Sequence, residues 1–138
     1  MRPLLVGECN PYGGRPMFAL YPYPDRSSGA RLAHILGLTR KNYLLRFERT
    51  NLCVDRWSIR AARLAADSIL AKRPVCPIEV TPIILLGSKV CQAFGVAYEP
   101  FCGIRNFRML PHPSGRNRIW NDPRAAERAR ALLEEWLK

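Results

Sequence analysis

Short apolar runs alternate along the chain with stretches whose apolar residues recur every three or four positions. "PLLVG" (3–7), "YLLRFERTN" (43–51), "PIILLG" (82–87) and "NFRML" (106–110) are five to nine residues long and bounded by turn formers, which predicts four strands. Between them the spacing is helical. Ser28 is placed to cap a helix over 28–36, with Leu32, Ile35 and Leu36 on one face and Gly37 ending it. "WSIRAARLAADSILAKR" (57–73) carries Ala62, Ala65, Ala66 and Ile69 on one stripe, and Ser88 is placed to cap "SKVCQAFG" (88–95). Asp122 followed by Pro123 opens a last helix with the stripe Ala125, Ala129, Leu132, Leu133 and Trp136.

Strands alternating with helices predict an α/β fold: a three-layer α/β/α sandwich around a central, mainly parallel four-stranded sheet. Ligands of such sheets bind beyond the carboxyl ends of the strands. The loop from Glu8 to Arg15, Asn51, and the loop from Pro111 to Asn121 all emerge at that edge. No repeat, low-complexity tract or linker interrupts the 138 residues, which read as one domain.

Charge narrows the function. Twenty-two Lys and Arg against eleven Asp and Glu give a net +11, a surface suited to polyanions, above all the phosphate backbone of nucleic acid. "MRPLLVGECNP" has too short an apolar run for a signal peptide, and no segment reaches a transmembrane length, so the expected location is the cytoplasm, on the nucleoid. The five cysteines (Cys9, Cys53, Cys76, Cys91, Cys102) are scattered and contain no CxxC pair. They argue against a disulfide framework or zinc site and read as small buried hydrophobes.

Two loops carry the chemistry. "VGECNPYGG" (6–14) and "HPSGRN" (112–117) resemble the signature loops of the uracil-DNA glycosylase superfamily, of the forms Gly-x-(Asp/Asn)-Pro and (His/Asn)-Pro-Ser-(Pro/Gly)-x-(Asn/Ser). "SSGARLAHILGLTRKNYLLRFERTNLC" and "IILLGSKVCQAFG" are similar to the family's intervening helix and strands, so the resemblance runs in order over nearly the whole chain. It implies hydrolysis of the bond between a flipped base and its sugar in DNA, leaving an abasic site.

The resemblance also implies roles. Asn10 stands where the family keeps the residue that positions the attacking water. Glu8 competes for that role, since some branches of the family carry an acid near that position; the loop also has one residue more between Gly7 and Pro11 than the simplest form of the motif. His112 would donate to the oxygen of the departing base. Asn51 would read the base edge, its amide offering a donor and an acceptor side by side. Tyr23 would stack on the base, with Tyr21 and Phe18 as alternatives, and Tyr12 would exclude a 5-methyl group. Ser114 and Gly115 would let a phosphate come close. Arg116 replaces the leucine wedge common in relatives, while Arg118, with Arg105 or Arg108, would extend a phosphate track. His34 has no partner motif and reads as structural. Several branches hold an iron–sulfur cluster on cysteines preceding the first loop. This chain has none there, so the expectation is no cofactor, no metal, and a monomer acting on DNA. A same-fold enzyme for another modified base, or a non-catalytic DNA-binding module, would share these features.

Overall fold

A computed structural model describes residues 2–10, 15–73 and 81–137. Five strands form one sheet: β1 (Leu4–Gly7), β2 (Glu48–Asn51), β3 (Ile83–Leu86), β4 (Gly103–Ile104) and β5 (Phe107–Leu110). Their order is β2-β1-β3-β5-β4, parallel except for β4, which runs antiparallel to β5. Five α-helices surround the sheet: α1 (Ser28–Ile35), α2 (Arg40–Arg46), α3 (Ile59–Lys72), α4 (Ser88–Phe94) and α5 (Pro123–Trp136).

The strands are apolar on both sides because both sides are covered. Leu5, Ile84, Leu86 and Leu110 meet Leu32 of α1, Tyr43 of α2, and Ala129 and Leu133 of α5. Leu4, Val6, Ile83, Leu85 and Met109 point the other way, onto Ala62 and Ala66 of α3 and Val90 of α4. The result is the expected α/β/α sandwich. α5 starts as expected, with Asp122 accepting from the Arg124 N–H and Pro123 at the first helical position.

Three local expectations change. The stretch 43–51 is not one strand. Thr39 caps α2 by accepting from the Asn42 N–H, and Tyr43 and Phe47 then fall four residues apart on the core side. Alternation would have buried Leu45, which is instead 60% exposed, so helical spacing wins and the strand begins only at Glu48. The sheet has a fifth strand, a two-residue hairpin partner of β5 too short and exposed to leave a pattern. Ser27 caps α1 in place of Ser28, accepting from the Ala30 N–H at 3.1 Å.

Candidate functional site

Because β2, β1, β3 and β5 are parallel, their carboxyl ends share one edge. A cleft of about 1100 Å³ opens there. Asn10 after β1, Asn51 ending β2, Tyr23, and Ser114, Gly115 and Arg116 after β5 all line it. Residues separated by more than a hundred positions therefore meet in one concavity. Phe18 and Tyr21 line it too.

The wall between β1 and β2 is set by close approach. Gly7 is the register partner of Asn51, and a Cβ on residue 7 would stand 2.5 Å from Asn51 Oδ1. The Leu52 N–H continues the ladder to the Gly7 carbonyl at 3.1 Å. Asn51 Oδ1 is buried and has no hydrogen-bond partner within the protein, which leaves an acceptor at the cleft wall for a ligand donor.

The aromatic wall is held from below. The Tyr43 hydroxyl donates to the Leu20 carbonyl at 2.8 Å, and Gly29 of α1 packs directly on the Leu20–Tyr21 backbone. Leu20 itself takes a left-handed backbone, φ 51°. Phe18 and Tyr21 meet edge to face at 5.3 Å, and Tyr21 and Tyr23 lie 5.7 Å apart. The Arg40 guanidinium lies 4.3 Å above the Tyr23 ring, and Arg49 lies 5.5 Å above Tyr21 while donating to the Met17 and Ala19 carbonyls. Tyr23 is still 48% exposed, so a ring face remains available.

The loop that follows β5 is stiffened around one residue. The His112 carbonyl accepts from Asn117 Nδ2 at 3.1 Å and from Trp120 Nε1 at 2.9 Å. Its ring Nδ1 accepts from the Ser114 N–H at 3.1 Å, so the neutral ring carries its proton on Nε2. That nitrogen lies 3.8 Å from Glu8 Oε2, and Lys89 Nζ lies 4.0 Å from Glu8 Oε1. Burial pushes the His112 pKa below its ordinary 6.5; the Glu8 carboxylate opposes this and Lys89 adds to it. Gly87, at φ 95°, makes room: a Cβ there would come within 3.2 Å of His112 Cβ.

Glu8 and His112 thus meet each other but do not line the cleft. They form a neighbouring cluster on the same edge, Glu8 directly preceding the cleft-lining Cys9 and His112 standing two residues before the cleft-lining Ser114. Arg118 opens an exposed 3-10 turn and is not part of the cleft lining either. Arg105 and Arg108 do not extend a track towards it. Arg105 sits in the β4–β5 turn, at the opposite edge of the sheet, and Arg108 is occupied with the Arg105 and Phe107 carbonyls. Tyr12 lies outside the described residues, as does Cys76. His34 is exposed in the last turn of α1. Cys53 and Cys91 are buried as expected; Cys9 and Cys102 are partly exposed.

Sequence reasoning missed Arg26 and Arg31, which line the cleft at the start of α1, and Lys89 beside Glu8. The Arg31 guanidinium lies against Gly115, whose absent Cβ would meet it at 2.5 Å. The signal for Arg31 was available in principle: it is the polar position next to the capped start of a helix that points at the carboxyl edge. Among the described residues no set of three metal-ligating side chains is grouped, and no helix is long and apolar enough to cross a membrane. Comparison with family models, with curated proteins and with solved structures gave no match to this chain.

Proposed function

We propose that this chain is a DNA glycosylase of the uracil-DNA glycosylase type, hydrolysing the N-glycosidic bond of uracil or a related altered base and leaving an abasic site. The observation that supports this most is the convergence of Asn10, Asn51, Tyr23, Ser114, Gly115 and Arg116 on one cleft that also holds Arg26 and Arg31.

In this reading a nucleotide is turned out of the stack into the cleft. Tyr23 takes one face of the base, and Asn51 Oδ1 accepts from its ring N–H while the amide nitrogen donates to a carbonyl. Water attacks C1′, the C1′–N bond breaks, and the base leaves with the bonding electrons. Asn10 Oδ1 orients that water, or the Glu8 carboxylate takes its proton. The Nε2–H of neutral His112 stabilises negative charge as it grows on the base oxygen, an interaction that strengthens only in the transition state. Ser114 and Gly115 admit the phosphate, Arg116 fills the vacated stack, Arg118 extends the phosphate track, and Tyr12 excludes a 5-methyl group. The protein works without a cofactor, as a cytoplasmic monomer.

One observation favours a second reading. Glu8 and His112 stand beside the cleft and not in its lining, as they would in a DNA-binding module that performs no chemistry. Base release decides between the two. Labelled single- and double-stranded oligonucleotides carrying uracil, hypoxanthine, xanthine, thymine opposite guanine or modified cytosines are incubated with wild type, Asn10→Ala, Glu8→Ala and His112→Ala, and abasic sites are cleaved with alkali. The glycosylase reading expects release of at least one base, reduced about 10²-fold or more in His112→Ala. Tight binding with no release from any substrate overturns it in favour of the binding module.

A further inference from the structure

The ladder between β1 and β2 does not stop at Gly7 and Asn51. The Cys53 N–H donates to the Glu8 carbonyl at 2.9 Å, and the Asn10 N–H donates to the Val54 carbonyl at 3.2 Å. These two bonds bracket Cys9 and bring it opposite Cys53. Neighbouring strands lie about 4.8 Å apart, inside the window of roughly 4.4–6.8 Å between α-carbons that a disulfide spans. Cys53 belongs to, and Cys9 packs against, the apolar cluster on the α3–α4 side of the sheet. Cys53 Sγ is also anchored at the start of α3, accepting from the Ser58 N–H at 3.4 Å and facing the Ser58 carbonyl at 3.5 Å.

Their surroundings differ in a useful way. Cys53 is buried, whereas Cys9 is partly exposed and lines the cleft between Asn10 and the β1 end. A small oxidant can therefore reach Cys9, and Cys53 stands opposite it on the neighbouring strand exit. The other described cysteines, Cys91 and Cys102, belong to α4 and to the approach to β4.

We infer that Cys9 and Cys53 are a dithiol site that closes to a disulfide under peroxide, pinning together the two strand exits that present Asn10 and Asn51. The Cys9 thiolate attacks one peroxide oxygen, the O–O bond breaks, and with one proton taken up water leaves and a sulfenic acid remains on Cys9. The Cys53 thiolate then attacks that sulfur, the S–O bond breaks, and with a second proton taken up a second water departs. Two thiols lose two electrons in all, and one peroxide gains them.

The cross-link does not depend on the proposed activity. Burial and the neighbouring carboxylate and thiol raise the Cys9 pKa to about 11, so thiolate is scarce near neutrality and oxidation should quicken about tenfold per pH unit between pH 7 and 9. The experiment is to treat the whole chain with hydrogen peroxide, alkylate the remaining thiols and map peptides by mass spectrometry. A linked peptide joining Cys9 to Cys53, about 2 Da lighter than the two thiols and released by dithiothreitol, is the expected result. Cys53→Ser should abolish it and leave Cys9 alkylated or carried on to sulfinate. Should that buried substitution prevent folding, Cys9→Ser, at the partly exposed position, should leave Cys53 alkylable only after denaturation. Cys9 ending as sulfinate in wild type, or linked to any other cysteine, overturns the inference.

Discussion

Gly7 and Asn51 face each other across the last regular rung between β1 and β2, so closely that a side-chain carbon on residue 7 would stand 2.5 Å from Asn51 Oδ1. The same oxygen is buried at the cleft wall without a protein partner. Gly7 is therefore what lets Asn51 keep its amide at the cleft wall.

Gly7→Ala should act through Asn51. The added methyl would swing the amide away and leave the ligand's donor unmatched, a loss of about 1–3 kcal/mol, or roughly 5- to 150-fold in affinity for a uracil-containing oligonucleotide. Asn51→Ala should show a similar loss, and the double variant should bind no worse than Asn51→Ala alone. Additive losses in a fluorescence titration would mean that Gly7 acts on something else, such as Leu20, whose Cδ2 would lie 3.0 Å from the new methyl.

Gly29 allows a prediction in which two effects have opposite signs. Within a helix, Gly→Ala ordinarily stabilises by up to about 1 kcal/mol. Here the new Cβ would fall 2.1 Å from the Leu20 carbonyl oxygen and 2.3 Å from that of Tyr21, both backbone atoms. Overpacking of this kind costs about 1–3 kcal/mol or more, so the clash should win. Urea unfolding of Gly29→Ala should give a midpoint below wild type. A higher midpoint would show that the Leu20–Tyr23 segment is not seated on α1 as described.

Some of this arrangement is legible in the sequence. The sheet and its two-sided covering are, because Leu4–Gly7 and Ile83–Leu86 have no polar position and can only be buried on both faces. The 43–51 stretch is ambiguous in the sequence, because Tyr43 and Phe47, four residues apart, share one face in a helix and in a strand alike. The deciding facts, a cap at Thr39 and a buried hydroxyl contact from Tyr43 to Leu20, are one local and one tertiary. The membership of the cleft was largely legible, since strand ends on a parallel sheet must share an edge. The meeting of Glu8 with His112 and Lys89 was not, because it depends on three neighbouring strands and on the space that Gly87 leaves.

If the cleft binds DNA as proposed, salt dependence should identify the arginines that meet phosphate. With a net +11, binding should weaken linearly in log–log form as salt rises, and each lost phosphate contact should lower the slope by about 0.7 on single-stranded DNA or 0.9 on duplex. Arg26→Ala, Arg31→Ala and Arg116→Ala remove cleft-lining guanidiniums and should each reduce the slope by about that amount. Arg105→Ala, at the opposite edge of the sheet, should leave it unchanged. Equal effects at all four positions would point to diffuse attraction by net charge and not to binding in the cleft.

The pH response follows from the surroundings of His112. Burial holds its pKa below 6.5, so the ring is neutral at pH 7 with Nδ1 accepting from Ser114 and Nε2 carrying the hydrogen. Protonation would place a second hydrogen on Nδ1, facing the Ser114 N–H, and break that bond. If the chain is the glycosylase proposed above, base release should therefore be level above pH 6.5 and fall only once acid reaches the depressed pKa. Stability follows the same window. The unfolded histidine takes up its proton near 6.5 and the folded one only lower, so between these values the unfolded state binds more protons and stability declines as pH falls. The chain has only two histidines, so ring-proton NMR of wild type and His34→Gln assigns both signals directly. Lys89→Met removes a neighbouring positive charge and should move the His112 titration up towards 6.5. Glu8→Gln removes the opposing carboxylate and should move it further down. A His112 titration at or above 6.5 in the wild type, or shifts of the opposite sign in the two variants, would rule out a neutral Nε2–H donor beside Glu8.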